Sequence, residues 1–289
     1  MGVITGMAKT IKIFLIDGEP DGLKTAELSN WVGQAIVVPR NKLKEIKARP
    51  ECKKPAVYFL IGKENEEALL PTVYIGEAEN LWARLVTHDN LKDFWQTAIA
   101  FTSKDNNLTK AHVKYLESRC LVVANKIKRS DLKNGAEPSL PSLPEADTAE
   151  MEEFLGNLKL LLSALGYPIL QEVVSKEQKD SADPLFICKG KDAVATGRMT
   201  NDGFVVYKGS TATANFSKAV SERNKRFFDK LLATGYVEKE SEGFYIFIKD
   251  YVFNSPSAAS DTILGNSTSG WKKWKNRNNK TLEEIYRNQ

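Results

Sequence analysis

Apolar positions recur at two periods along this chain, and the switches between the two outline its elements. Three strand-length runs open it, KTIKIFLI, LKTAELSN and QAIVVP, divided by the turn-forming DGEPDG and by Gly33. PAVYFLIG and TVYIG predict two more strands with KENEEALLP as the loop between them. In ENLWARLVTH the period lengthens to that of a helix, with Leu81 and Leu85 on one side and Arg84 and His88, four apart, on another. FWQTAIAFTS returns to a strand pattern. NLTKAHVKYLESRCLVVANKI is again helical, its buried stripe running through Leu116 and Cys120 from either His112 or Val113. His112 is read there as a core histidine rather than a ligand, with Glu117 and Arg119 beside the stripe.

The stretch GAEPSLPSLPEADTAE is a linker, because Pro138, Pro141 and Pro144 can neither continue a helix nor join a central sheet. ADTAEMEEFLGNLKLLLSALG then predicts a helix with Leu155, Leu158, Leu162 and Leu165 on one stripe and Gly166 as its stop. Beyond Pro184 the expected elements are strands in LFICKG and AVATGRMTNDGFVVYKGS, a helix in SKAVSERNKRFFDKLLATG, and a strand pair, YVEKES with FYIFIKDYVF. NDG at 201–203 marks a hairpin turn. Ser255 as N-cap, Pro256 at the first helical position and Gly265 as stop predict a short helix. The fold class is α/β of the α+β kind. Four segments follow: a β-rich N-terminal extension (1–50), a core domain (51–135), a Pro-rich acidic linker with a helix (136–185) and a C-terminal α+β domain (186–289).

With 289 residues, 42% hydrophobic and 27% charged, the composition is that of an ordinary globular protein. The apolar runs are strand-length, and no basic-then-apolar leader opens the chain, so a cytoplasmic protein without a membrane partner is expected. Cys52, Cys120 and Cys188 form no CxxC pair, which argues against a disulfide framework or a zinc site. A net charge of +4 does not announce a nucleic-acid partner, but its distribution is uneven. Residues 136–153 hold six acids and no base, whereas 271–289 hold six bases against Glu283 and Glu284.

Individually, Tyr58, Tyr74, Arg84, His88 and Glu117 would pass as sheet and helix-surface residues. Together, AVY on one strand, VYIG on the next, an arginine eight residues after Gly76, a histidine four beyond it and a glutamate on a later helix resemble the GIY-YIG nuclease family, over roughly Pro55 to Asn134. The resemblance implies an endonuclease that hydrolyses DNA phosphodiester bonds with Mg2+ or Mn2+ and no small-molecule cofactor. It gives Glu117 the role of metal ligand and sets Arg84, whose planar fork suits phosphate, against the scissile group. Tyr74, Tyr58 and His88 each remain candidates to orient or deprotonate the attacking water; the resemblance favours Tyr74 with His88 hydrogen-bonded to it. Two positions depart from the family pattern: Ala56 stands for its first glycine and Glu77 for a frequent lysine. The family's later asparagine corresponds to Asn125 or Asn134.

DGFVVYKGSTA and NSPSAASDTILGNSTSGWKKWK resemble a domain of unknown function that often follows GIY-YIG domains and is attached to restriction and DNA-methylation enzymes, over about Phe186 to Ile285. Trp271 and Trp274 either pin the terminus to a core or join Lys272, Lys273 and Lys275, with Gly76 in the first domain, in contacting nucleic acid. Lysines beside aromatics do not distinguish DNA from RNA; the family association favours DNA. The rival functions are a DNA-binding or regulatory protein without turnover and an interaction module built on the acidic linker.

Overall fold

The computed structural model describes residues 8–65, 68–135, 139–172, 185–217, 222–241 and 243–287. Residues 66–67 of the expected KENEEALLP loop, 136–138 of the linker and 218–221 of the expected helix after Phe216 lie outside them. The chain forms two units, Met1–Gln171 and Glu172–Gln289, each a mixture of sheet and helix.

In the first unit, β1 (Ile11–Leu15), β2 (Lys24–Leu28), β3 (Gly33–Pro39), β4 (Ala56–Gly62), β5 (Thr72–Ala78), β6 (Trp95–Ser103) and β7 (Asp131–Leu132) make one sheet in the order β1-β2-β3-β6-β4-β5-β7. Every neighbouring pair is antiparallel except β5 with β7. Strands of the N-terminal segment thus share a sheet with those of the core domain. Every residue of β4 is buried, as expected where helices cover both faces of a strand. Val57, Phe59 and Ile61 enter one core with α2 (Lys110–Ile127) and α3 (Glu145–Ala164); Ala56, Tyr58 and Leu60 enter the other with Leu81 and Leu85 of α1 (Leu81–Leu91). The two-residue alternation of a strand therefore decides which side chains meet which helix.

Sequence pattern did not foresee the two 3-10 turns over Arg40–Ala48 and Pro50–Lys53, whose Leu43, Ile46 and Cys52 complete the α1-side core. Nor did it foresee β7, too short to carry a period. Of the two stripes open to α2, the buried one starts at Val113. His112 is not a core residue: half-buried at the start of α2, it accepts the Thr109 amide on Nδ1 at 3.4 Å, while Thr109 accepts the His112 amide. A capping box won over the apolar stripe because the first-turn amides need acceptors. The helix α3, expected within the linker segment, packs on α2 and the sheet, and its Glu152 receives the Arg119 guanidinium at 2.9 Å and the Tyr115 hydroxyl at 2.7 Å.

In the second unit, β8 (Phe186–Lys189), β9 (Val194–Thr200), β10 (Gly203–Val206), β14 (Tyr251–Phe253) and β15 (Lys275–Asn276) form a sheet in the order β14-β10-β9-β8-β15. β11 (Thr211–Thr213), β12 (Val237–Ser241) and β13 (Phe244–Phe247) form a second one, β11-β13-β12. The NDG turn joins β9 to β10, with Thr200 opposite Gly203 and Gly203 at φ 136°. FYIFIKDYVF, expected as one strand, is two: the carboxylate of Asp250 takes the Lys208 amide at 2.8 Å in the break, and β13 and β14 serve different sheets. The helices are α4 (Glu222–Ala233), α5 (Pro256–Leu264), α6 (Gly270–Lys273) and α7 (Leu282–Tyr286). α5 begins on the Ser255 cap and ends at Gly265, φ 62°, as its signals predict. No helix among the described residues is long and apolar enough to cross a membrane.

Candidate active site

Three elements on the α1 side of the sheet bring Tyr58, Tyr74, Arg84 and His88 together. Tyr58 of β4 lies opposite Gly76 of β5, so a side chain at position 76 would run into the Tyr58 hydroxyl and meet the Tyr74 ring at 3.0 Å. This close approach, not a special backbone angle, is what glycine serves here. α1 starts at the Asn80 cap, whose side chain accepts the Ala83 amide at 3.0 Å, and its 3.6-residue period puts Arg84 and His88 one above the other. Arg40 fastens the far end of α1, donating to the Asp89 carboxylate at 2.7 Å and to the backbone carbonyls of Asp89 and Asp93 at 2.9 and 3.0 Å.

A chain of hydrogen bonds results. Arg84 Nε donates to the Tyr58 hydroxyl at 3.2 Å, and that hydroxyl, rather than the expected Tyr74 hydroxyl, lies 2.7 Å from His88 Nε2. Burial, followed by the charges of Arg84 and Lys92, holds the His88 pKa down at about 4, so its imidazole is neutral near pH 7. With Arg84 as donor, the Tyr58 proton goes to Nε2, and the remaining proton sits on Nδ1, which is buried without a partner. Burial also raises the Tyr58 pKa, outweighing the Arg84 hydrogen bond that lowers it. The Tyr58 phenolate is thereby disfavoured. Tyr74 is half-buried, with its ring 5.0 Å from the His88 ring and 6.3 Å from that of Tyr58, and Lys92 Nζ stands 4.4 Å from its centroid.

Glu117 approaches from α2. It is half-buried, and burial, then the negative charge of Glu77, pushes its pKa up to about 7 against the opposing pull of Arg84 and Lys114. Its field also reaches Tyr58. Among the described residues neither Glu117 nor Glu77 makes a hydrogen bond or ion pair. Sequence reading treated Glu77 only as a missing lysine; strand alternation, which puts it on the opposite face from Tyr74 and Gly76, was the available signal that it turns toward α2. The resemblance left the later asparagine as Asn125 or Asn134; the Asn134 amide is bidentate to β5, accepting Ile75 N at 3.0 Å and donating to Ile75 O at 2.7 Å. It occupies the place of a strand neighbour just past the two-residue β7. Lys92 was unforeseen, although it lies four residues past His88. Ala56 is buried in β4 opposite Ala78 and is not among the described residues with positive φ, so alanine is unstrained where the family pattern has glycine.

Lys272, Lys273 and Lys275 belong to the second unit, all exposed on α6 and β15. The two tryptophans divide. Trp274 is fully buried, 4.4 Å from the Phe204 ring, and donates its indole N–H to Pro256 O at 3.0 Å; Trp271 is half-buried beneath the Arg287 guanidinium at 3.6 Å. Lys272 stands 3.9 Å from the Glu283 carboxylate.

No curated protein and no solved structure matches the chain. Residues 186–286 match a family described as a domain of unknown function (DUF4357), the segment over which the resemblance to such a domain was expected.

Proposed function

We propose that residues 51–135 form a GIY-YIG-type nuclease site that hydrolyses DNA phosphodiester bonds with the help of a divalent cation. The observation that carries this reading is the Arg84–Tyr58–His88 hydrogen-bond chain lying beside a half-buried tyrosine and within the field of a carboxylate that makes no hydrogen bond or ion pair among the described residues. The family match lies in residues 186–286, outside this site, so the reading rests on these residues and their arrangement.

The donor set suits a hard cation. A desolvated carboxylate beside a second one, neither with a hydrogen bond among the described residues, gains from a divalent ion a counter-charge. No group of three or more His, Cys, Asp and Glu side chains converges among the described residues, which fits Mg2+ or Mn2+ held by Glu117, with Glu77 next to it, and otherwise by water. When bound, such an ion neutralises phosphate oxygens and the leaving oxyanion. Arg84 presents its guanidinium to the scissile phosphate, where its permanent charge stabilises the crowded phosphorane. Tyr58 holds Arg84 in place and, being buried and protonated, takes no proton itself. His88, neutral and enclosed, locks the Tyr58 hydroxyl. Tyr74, half-buried with Lys92 over its ring, orients the attacking water. Lys272, Lys273 and Lys275, beside Trp271, offer the second unit's contact to the DNA backbone.

The test is conversion of supercoiled plasmid to nicked or linear DNA in Mg2+ or Mn2+, comparing the natural protein with Glu117→Ala and Arg84→Ala. Cleavage lost in both variants is the expected result. Absence of cleavage by the natural protein on plasmid, branched DNA and RNA, with salt-sensitive DNA binding retained, would replace the nuclease by a binding or regulatory protein.

A further inference from the structure

A pocket of roughly 260 Å³ opens in the first unit among the β2–β3 turn, the end of β6, the start of α2 and the side of α3. Its floor is apolar, with Leu108 and Phe154 nearly fully buried. Trp31 forms one wall: its ring lies 4.9 Å from that of Phe154, tilted by 57°, and it passes over Gly33, where any side chain would collide with it. The indole is half-buried, so part of it remains open.

The rim has one sign of charge. Asp105, Glu150 and Glu153 line the pocket and are exposed, and among the described residues no lysine or arginine lines it. The Asp105 carboxylate accepts from the Ser103 hydroxyl, the Asn107 amide and the Asn107 side chain, which hold its pKa below the usual range and keep it charged. Asp147, Glu150 and Glu153 follow one another at three-residue spacing on α3, an arrangement of like charges that destabilises a helix. Among the described residues only Asp147 of the three has a hydrogen-bond or ion-pair partner, His112 Nε2 at 3.4 Å, and the other nitrogen of that histidine is engaged in the α2 cap. An aromatic face walled by uncompensated carboxylates attracts a cation by both its quadrupole and its field, and repels phosphate. The volume is below that of a nucleotide or cofactor site and suits one long side chain or a small amine.

We propose that this pocket binds an organic cation, an ammonium or guanidinium on an aliphatic stem, seated on the Trp31 ring and held by Asp105, Glu150 and Glu153. The stem covers the Leu108–Phe154 floor, and the source is either a basic side chain of a partner protein or a free polyamine. This site is separate from the nuclease reading and survives its failure.

The experiment is calorimetric titration of the full chain with spermidine, with agmatine, and with a capped Gly/Ser peptide carrying one arginine, against the same peptide carrying citrulline. Saturable binding of at least one cation, weakened about tenfold or more by Glu150→Gln with Glu153→Gln and, where the arginine peptide binds, by the citrulline exchange, is the expected result. Trp31→Phe, which keeps a ring, should weaken it less than the double Gln variant. Binding by the free amines alone identifies a small cation, and binding by the peptide alone a protein partner. No saturable binding by any cation, or an arginine peptide that binds no tighter than a binding citrulline peptide, would overturn the proposal.

Discussion

Acidification should set His88 and Glu117 against each other. The His88 pKa falls from 6.5 to about 4 on folding, so the unfolded chain binds the extra proton. Its contribution is intact above pH 6.5 and is lost as the pH falls toward 4, by about 2 kcal/mol at pH 5 and about 3 kcal/mol at pH 4. Glu117 moves the other way, from 4.5 to about 7, so the folded chain binds the extra proton. Its ionisation costs stability above pH 7, a cost relieved between pH 7 and 4.5, also on the order of 3 kcal/mol. The two nearly cancel in the natural protein, and only variants expose them. Urea unfolding of the full chain, following the transition of the first unit in metal-free buffer, should show His88→Gln gaining about 3 kcal/mol on the natural protein between pH 7.5 and 4. Glu117→Gln should lose a similar amount over pH 7.5 to 4.5. If the His88→Gln curve runs parallel to the natural one across this range, the imidazole is not held neutral by burial and the Tyr58–His88 assignment falls.

Gly76→Ala should push the Tyr58 hydroxyl out of place, costing about 1–3 kcal/mol in thermal or urea unfolding and lowering plasmid cleavage, because the new methyl meets that oxygen. Asn134→Ala removes both bonds to Ile75 and should cost about 1–3 kcal/mol, with faster amide exchange at Ile75 as the local readout. Trp274→Ala should destabilise the second unit by about 3–5 kcal/mol, whereas Trp271→Ala should leave its unfolding within about 1 kcal/mol and reduce salt-dependent DNA binding instead.

The sequence by itself determined the elements whose signals are local. Strand-length apolar runs marked β4 and β5, the 3.6 period marked α1 and α2, and Ser255, Pro256 and Gly265 delimited α5, because each signal acts within one turn or one strand. Tyr58, Tyr74, Arg84, His88 and Glu117 could be singled out as a set through a family resemblance to their order and spacing. Tertiary structure alone decided what those residues do to one another. Strand register put Gly76 under the Tyr58 hydroxyl, burial drew His88 down and Glu117 up in pKa, and the α2 approach set Glu77 beside Glu117. The same holds for Asn134 completing the edge of β5 and for α3 covering the sheet of the first unit. Such pairings join residues far apart in the chain, and their energies come from desolvation and contact, which no local period encodes.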